Sequence, residues 1–137
     1  MIEFKDFQIL SRTFRQYNDT LELYFKHKRL GGGTTMYAFI VNPNSRSGLG
    51  LKIWEQLELI LKERHIDYQI YFTRRPGHGA RLAAQICDTD AHTLVVLGGD
   101  GTIGEVVNGI RDLTKMTLAY IPIGSGNDFA RSMKLTK

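Results

Sequence analysis

The chain has 137 residues, of which 42% are hydrophobic and 23% charged, with a net charge of +4. A chain of this size buries a core without staples, and its single cysteine, Cys87, excludes both a disulfide framework and a cysteine-based zinc site. No apolar run reaches the roughly 18–20 residues that cross a bilayer, no signal-peptide core opens the chain, and no Lys/Arg cluster is dense enough for a nucleic-acid stripe.

Residues 1–35 carry no clean period and read as an N-terminal extension of unclear role, closed by the flexible run Gly31-Gly32-Gly33. From residue 36 a strand-then-helix rhythm begins. Residues 36–41 form a short apolar run that predicts a buried strand, followed by a turn-rich loop over 42–48. A helix follows with Ile53, Trp54, Leu57, Ile60 and Leu61 on one face. Residues 67–73 predict a second strand, and Pro76-Gly77-His78-Gly79 opens a second helix with Ala83, Ile86 and Cys87 in its stripe. Residues 93–97 are a fully apolar third strand. Gly98 to Gly101 then turn into a third helix, with Ile103, Val106, Val107 and Ile110 at i, i+3, i+4 and i+7. Residues 117–121 predict a fourth strand, and residues 124–127 lead into a last helical segment. This alternation predicts right-handed β-α-β units: an α/β domain over 36–137, three-layered, with a mainly parallel sheet. Ligands of such sheets sit at the carboxyl ends of the strands, where these glycine- and asparagine-rich loops lie.

The strongest of those loops is Gly98-Gly99-Asp100-Gly101-Thr102, between a buried strand and an amphipathic helix. Its glycines let the backbone turn sharply and let phosphate oxygens approach the amides, and the helix N-terminus favours an anion. A carboxylate at such a site repels phosphate unless a cation lies between them, so Asp100 points to Mg²⁺. A plain turn with an Asx-type cap would not require so many glycines. Gly99, Gly101 and Gly104 match the dinucleotide fingerprint, but the following strand ends Tyr120-Ile121-Pro122-Ile123-Gly124 with no carboxylate for a ribose, which argues against an NAD-dependent oxidoreductase. The pattern of a P-loop is absent as well. Residues 42–48 offer amides, hydroxyls and the fork of Arg46 to a phosphate. Residues 122–131 place a second carboxylate, Asp128, at the same sheet edge, either in a metal network with Asp100 or as a helix cap.

Gly98 to Thr102, followed by Glu105-Val106-Val107-Asn108-Gly109 and then by Gly124-Ser125-Gly126-Asn127-Asp128-Phe129-Ala130-Arg131, resembles the catalytic domain of the diacylglycerol kinases. That family includes the soluble bacterial lipid kinases and is related to the sphingosine and ceramide kinases. The resemblance covers residues 36 to about 135 and implies a nucleotide-binding fold like that of NAD kinase and phosphofructokinase. It implies ATP and Mg²⁺, with the γ-phosphoryl group passing to a lipid hydroxyl such as that of diacylglycerol.

Carried over by motif, Asn42, Pro43, Asn44, Ser45, Arg46, Thr73, Gly99, Asp100, Gly101, Thr102, Ile103, Gly104, Glu105 and Ser125 line the nucleotide site. Asp100 is the essential aspartate, and Asp100 with Asp128 serves the metal. Family members add a β-rich domain after this point that carries the catalytic base and much of the lipid pocket, so this chain is expected to supply the nucleotide-binding half, weakly active or inactive alone. The resemblance also implies a cytoplasmic protein, peripheral at the inner membrane surface where its lipid acceptor lies, with no nucleic-acid partner. An exposed seam could pair two copies as a homodimer. The rival readings are a NAD kinase-like enzyme, which shares the Gly-Gly-Asp-Gly motif, and a non-catalytic ATP-binding fragment.

Overall fold

The computed structural model describes residues 8–9, 36–112 and 114–123. In chain order it contains β1 (Gln8–Ile9), β2 (Tyr37–Val41), α1 (Ser45–Glu63), β3 (Tyr68–Phe72), α2 (His78–Cys87), β4 (Thr93–Gly98), α3 (Asp100–Gly109) and β5 (Thr117–Pro122). The strands form one sheet in the order β1-β5-β4-β2-β3, and every pair is parallel. Strands β2 and β4 are buried along their whole length, as apolar strands covered by helices on both faces must be.

The handedness of the crossovers decides which helix covers which face. The chain moves from β2 outward to β3, then returns past β2 to β4 and on to β5. With right-handed crossovers, this reversal places α1 on one face and α2 and α3 on the other. The packing agrees. Ile53, Trp54, Leu57 and Leu61 of α1 lie with Phe39, Val41, Val95, Leu97 and Ile121. Leu82, Ala83 and Ile86 of α2, with Ile103 and Val106 of α3, lie with Ala38, Ile40, Leu94, Val96 and Tyr120. Phe39 and Trp54 meet at a centroid distance of 5.2 Å. The β2/β4 pair is therefore the switch point, from whose carboxyl ends the loops diverge to opposite faces.

Two features depart from the sequence reading. The first is β1: Gln8 and Ile9 pair with Ala119 and Tyr120, so residues assigned to an extension contribute a short edge strand. A two-residue strand is too short to show a period. The second is that α1 opens at Ser45, inside the predicted loop over 42–48, although Arg46 (φ 48°), Ser47 (φ 57°) and Gly48 (φ 95°) are left-handed and regular helix begins only after that loop. Gly31 to Gly33, Ser125, Asp128 and the last helical segment expected after residues 124–127 lie outside the described residues.

Helix α1 ends in a Schellman motif. The His65 N–H donates to Lys62 O (3.2 Å) and the Ile66 N–H to Leu61 O (2.9 Å). His65 takes the left-handed position (φ 53°) that glycine fills without steric cost. His65→Gly is expected to raise stability by ~0.5–1 kcal/mol in urea unfolding. Burial of Tyr37 pushes its hydroxyl up to about 12 from the ordinary 10.0. The folded state thus holds the proton more tightly than the unfolded state. The stability this gives is complete below about pH 10 and is lost as pH rises toward 12. Tyr37→Phe should flatten that alkaline limb in a pH series of unfolding midpoints.

Candidate functional site

A cleft of about 670 Å³ opens at the carboxyl edge of β2, β3 and β4. Asn42, Asn44, Ser45 and Arg46 line it from the loop after β2, and Thr73, Arg74, Arg75 and Pro76 from the loop after β3. Gly99, Gly101, Thr102 and Glu105 line it from the β4–α3 junction. Of the residues chosen from sequence, the cleft thus brings together Asn42, Asn44, Ser45, Arg46, Thr73, Gly99, Gly101, Thr102 and Glu105. Pro43, Asp100, Ile103 and Gly104 do not line it. Ile103 is fully buried in the core beneath α3, as its place in the apolar stripe requires. Asp100 is the first residue of α3, partly exposed beside Gly99 and Gly101, where its charge also suits the helix dipole.

The loops are held by short-range bonds. The Asn42 side chain accepts from the Asn44 N–H (3.1 Å), and its amide reaches across to Thr102 Oγ1 (3.5 Å). The Asn42 N–H donates to Leu97 O (2.8 Å), and the Thr73 N–H to Val41 O (2.9 Å), so each loop leaves the sheet already paired to its neighbour. His78 Nδ1 accepts from the Arg74 N–H (3.0 Å). The sequence reading placed His78 where the second helix opens. The structure gives it the task of closing the turn before α2.

Close approach, not turn geometry, explains Gly98 at the β4–α3 junction. The described glycines with positive φ are Gly48 and Gly77, so Gly98, Gly99 and Gly101 do not act by left-handed turning. A β-carbon at Gly98 would stand 2.7 Å from Thr102 Cβ and Oγ1, whereas one at Gly101 meets nothing within 4 Å. Gly98 lets Thr102 pack over the end of β4, and Gly101 leaves the cleft open above the helix start.

Arg46, Arg74 and Arg75 make no ion pair among the described residues. The Glu105 carboxylate accepts from the Gly77 N–H (2.7 Å) and the Gly79 N–H (3.1 Å). The cleft therefore presents three unpaired guanidiniums and a helix N-terminus, a field that favours a polyanion. The sequence reading missed Arg74, Arg75 and Pro76. The signal was available, because they follow Thr73 at the carboxyl end of a strand, yet they lack the glycine and asparagine content that marked the other loops. A second cleft, about 330 Å³, lies among Asp88, Asp90, His92, Arg111, Asp112 and Lys115. There Arg111 pairs with Asp88 (3.4 Å) and Lys115 with Asp112 (3.9 Å). The Thr114 hydroxyl and N–H donate to Asp112 and hold its carboxyl below the usual range. Its cations are already matched.

A parallel α/β domain with a phosphate-suited cleft at its switch point defines a nucleotide-binding class of fold. The model of the diacylglycerol kinase catalytic domain matches residues 36–137, and the chain belongs to that family. A Bacillus subtilis protein named "Putative lipid kinase YtlR" is 37% identical over 102 residues, 72% of this chain and 33% of its own. A diacylglycerol kinase of Staphylococcus saprophyticus is 32% identical over 97 residues, 70% of this chain and 32% of its own. A crystal structure described as a putative diacylglycerol kinase from Bacillus anthracis superposes with a TM-score of 0.61 at 26% identity, over 75% of this chain and 35% of that one. The chain spans about a third of the length of the curated relatives it matches.

The two glycines differ testably. Gly98→Ala should destabilise the fold by ~1–3 kcal/mol in denaturant unfolding, because the methyl displaces Thr102, while Gly101→Ala should stay within about 0.5 kcal/mol of the parent.

Proposed function

We propose that this chain supplies the nucleotide-binding half of an ATP- and Mg²⁺-dependent lipid kinase, which passes the γ-phosphoryl group to a lipid hydroxyl such as that of diacylglycerol. The observation that carries this reading is the cleft at the β2/β4 switch point, lined by the first turns of α3 and by Arg46, Arg74 and Arg75, which form no ion pair among the described residues. Phosphoryl transfer is chiefly positioning and charge stabilisation, and this chain's residues are suited to both for the donor nucleotide. Asn42, Asn44 and Ser45 offer polar groups to the phosphate chain from one side, Thr73 and Thr102 offer hydroxyls, and the guanidiniums offset charge on the phosphoryl oxygens. Gly101 leaves room for close approach at the helix start.

Mg²⁺ is bound by one or two carboxylates together with phosphate oxygens and water, not by a closed protein cage. Asp100, partly exposed at the start of α3, fits that mode, and among the described residues no group of three His, Cys, Asp or Glu forms a cage. Mg²⁺ held there would neutralise charge between the outer phosphoryl groups. We assign Asp128 to the same metal on sequence alone. The lipid acceptor, a membrane-surface location in the cytoplasm and a paired state of two copies are parts of the same proposal. Among the described residues, no helix is long and apolar enough to cross a membrane.

A second reading is nucleotide binding without transfer. It is favoured by one feature: among the described residues, the carboxylate lining the cleft, Glu105, is already engaged by two backbone amides, and no histidine lines it to act as a base. A lipid-phosphorylation assay separates the two readings. For the shared claim, calorimetric titration should give saturable ATP binding that Mg²⁺ strengthens. Asp100→Asn should weaken the Mg²⁺-supported affinity by about tenfold without lowering the Mg²⁺-free affinity, since it removes a charge that repels phosphate. Equal affinities for the parent and Asp100→Asn in Mg²⁺ would overturn the assignment of the metal to Asp100.

A further inference from the structure

We infer that Glu105 does not touch the nucleotide or the metal but acts as a positioning residue, a clasp that holds the β3–α2 loop so that Arg74 and Arg75 stand in the cleft as its second phosphate-binding wall. This rests on the nucleotide reading of the same cleft and gives Glu105 a role other than the one the family motif implies.

The geometry is specific. Glu105 lies one turn beyond Thr102 on α3, so the two side chains leave the helix on the same side. Thr102 meets the loop after β2 through Asn42. Glu105 meets the loop after β3 through both carboxylate oxygens, Oε1 with the Gly77 N–H at 2.7 Å and Oε2 with the Gly79 N–H at 3.1 Å. A carboxylate that accepts two amide bonds has spent its best acceptor sites, and these amides belong to the start of α2, where they would otherwise lack partners.

The surroundings are shaped for this contact. A β-carbon at Gly79 would stand 2.9 Å from Glu105 Oε2 and 3.2 Å from Glu105 Cβ. One at Gly109 would stand 2.2 Å from Ala80 O, so α2 and α3 approach with backbone against backbone. At the other end of the loop, Thr73 is pinned to Val41 O, and His78 Nδ1 takes the Arg74 N–H. Arg74 and Arg75 are thus tethered on both sides. Both are exposed, line the cleft and pair with no carboxylate among the described residues. The loop's fixed backbone with two unneutralised guanidiniums has the chemistry of a polyphosphate contact. Glu105 supplies the fixing and not the contact.

The test uses the chain as it stands, with inorganic tripolyphosphate and Mg-ATP as separate probes. Amide hydrogen exchange is read at residues 74–79. Glu105→Ala should speed exchange of the Gly77 and Gly79 amides by roughly tenfold or more while core amides of β2 and β4 stay protected, with Glu105→Gln intermediate because it keeps one acceptor oxygen. In titration, Glu105→Ala should weaken tripolyphosphate to about the same degree as the double variant Arg74→Gln/Arg75→Gln, and the triple variant should lose no more than the double. Full additivity of the losses would mean that Glu105 contacts the ligand or metal itself, and would overturn the inference. Unchanged exchange at Gly77 and Gly79 in Glu105→Ala would overturn it as well. Tripolyphosphate and Mg-ATP binding by the parent that ignores the arginine substitutions would overturn this inference alone. Absence of all binding by a parent with a protected clasp would overturn the nucleotide reading together with it.

Discussion

The site depends on how closely the first turns of α3 lie against the end of β4. With no side chain at Gly98, Thr102 packs over the strand end, where a β-carbon would have stood 2.7 Å away. That contact fixes the direction in which α3 leaves the sheet. From that direction Thr102 reaches Asn42 on one neighbouring loop, and Glu105 reaches Gly77 and Gly79 on the other. Three loops that are distant in sequence become one wall because a single helix is bonded to two of them. Tyr120 adds a further tie by donating its hydroxyl to Gly98 O at 3.2 Å, and the Ile123 N–H takes the same carbonyl at 2.8 Å.

The electrostatics follow from this arrangement. Glu105 lines the cleft with its carboxylate bonded to two backbone amides, and among the described residues it forms no ion pair with the guanidiniums. Arg46 stands on a left-handed stretch of backbone, a conformation that costs an L-residue about 1–2 kcal/mol and persists only where its surroundings impose it. Gly50 belongs to those surroundings, since a β-carbon there would stand 2.1 Å from Asn42 O. The loop after β2 is therefore clamped between its own strand and the helix it opens.

Much of this was legible in the sequence, for reasons that particular residues make plain. Strands β2, β4 and β5 were readable because burial on both faces demands unbroken apolar runs, and α1 because Ile53, Trp54, Leu57, Ile60 and Leu61 keep a helical period and are all buried. The carboxyl-edge location of the cleft followed from topology alone, which is why the loops that hold Asn42 and Gly99 were found without any contact being known, while Thr73 came from the family motif. What was missed depends on tertiary contact. The bonds of Glu105 gave no local sign, because its partners are backbone amides 28 and 26 residues away. Gly79 and Gly109 carry no local signal, because the demand on them comes from the facing helix. Gln8 and Ile9 join the sheet only through β5, more than a hundred residues later.

The central claim is that one cleft, at the switch point of this sheet, binds the phosphates of a nucleotide. Mapping amide chemical shifts of the chain during titration with Mg-ATP tests it most directly. The account predicts that shifts concentrate in residues 42–48, 73–77 and 98–105, with the far end of the sheet around residues 88–92 and 111–116 unmoved. Saturable shifts centred on that far end, or none in the three loops, would contradict it.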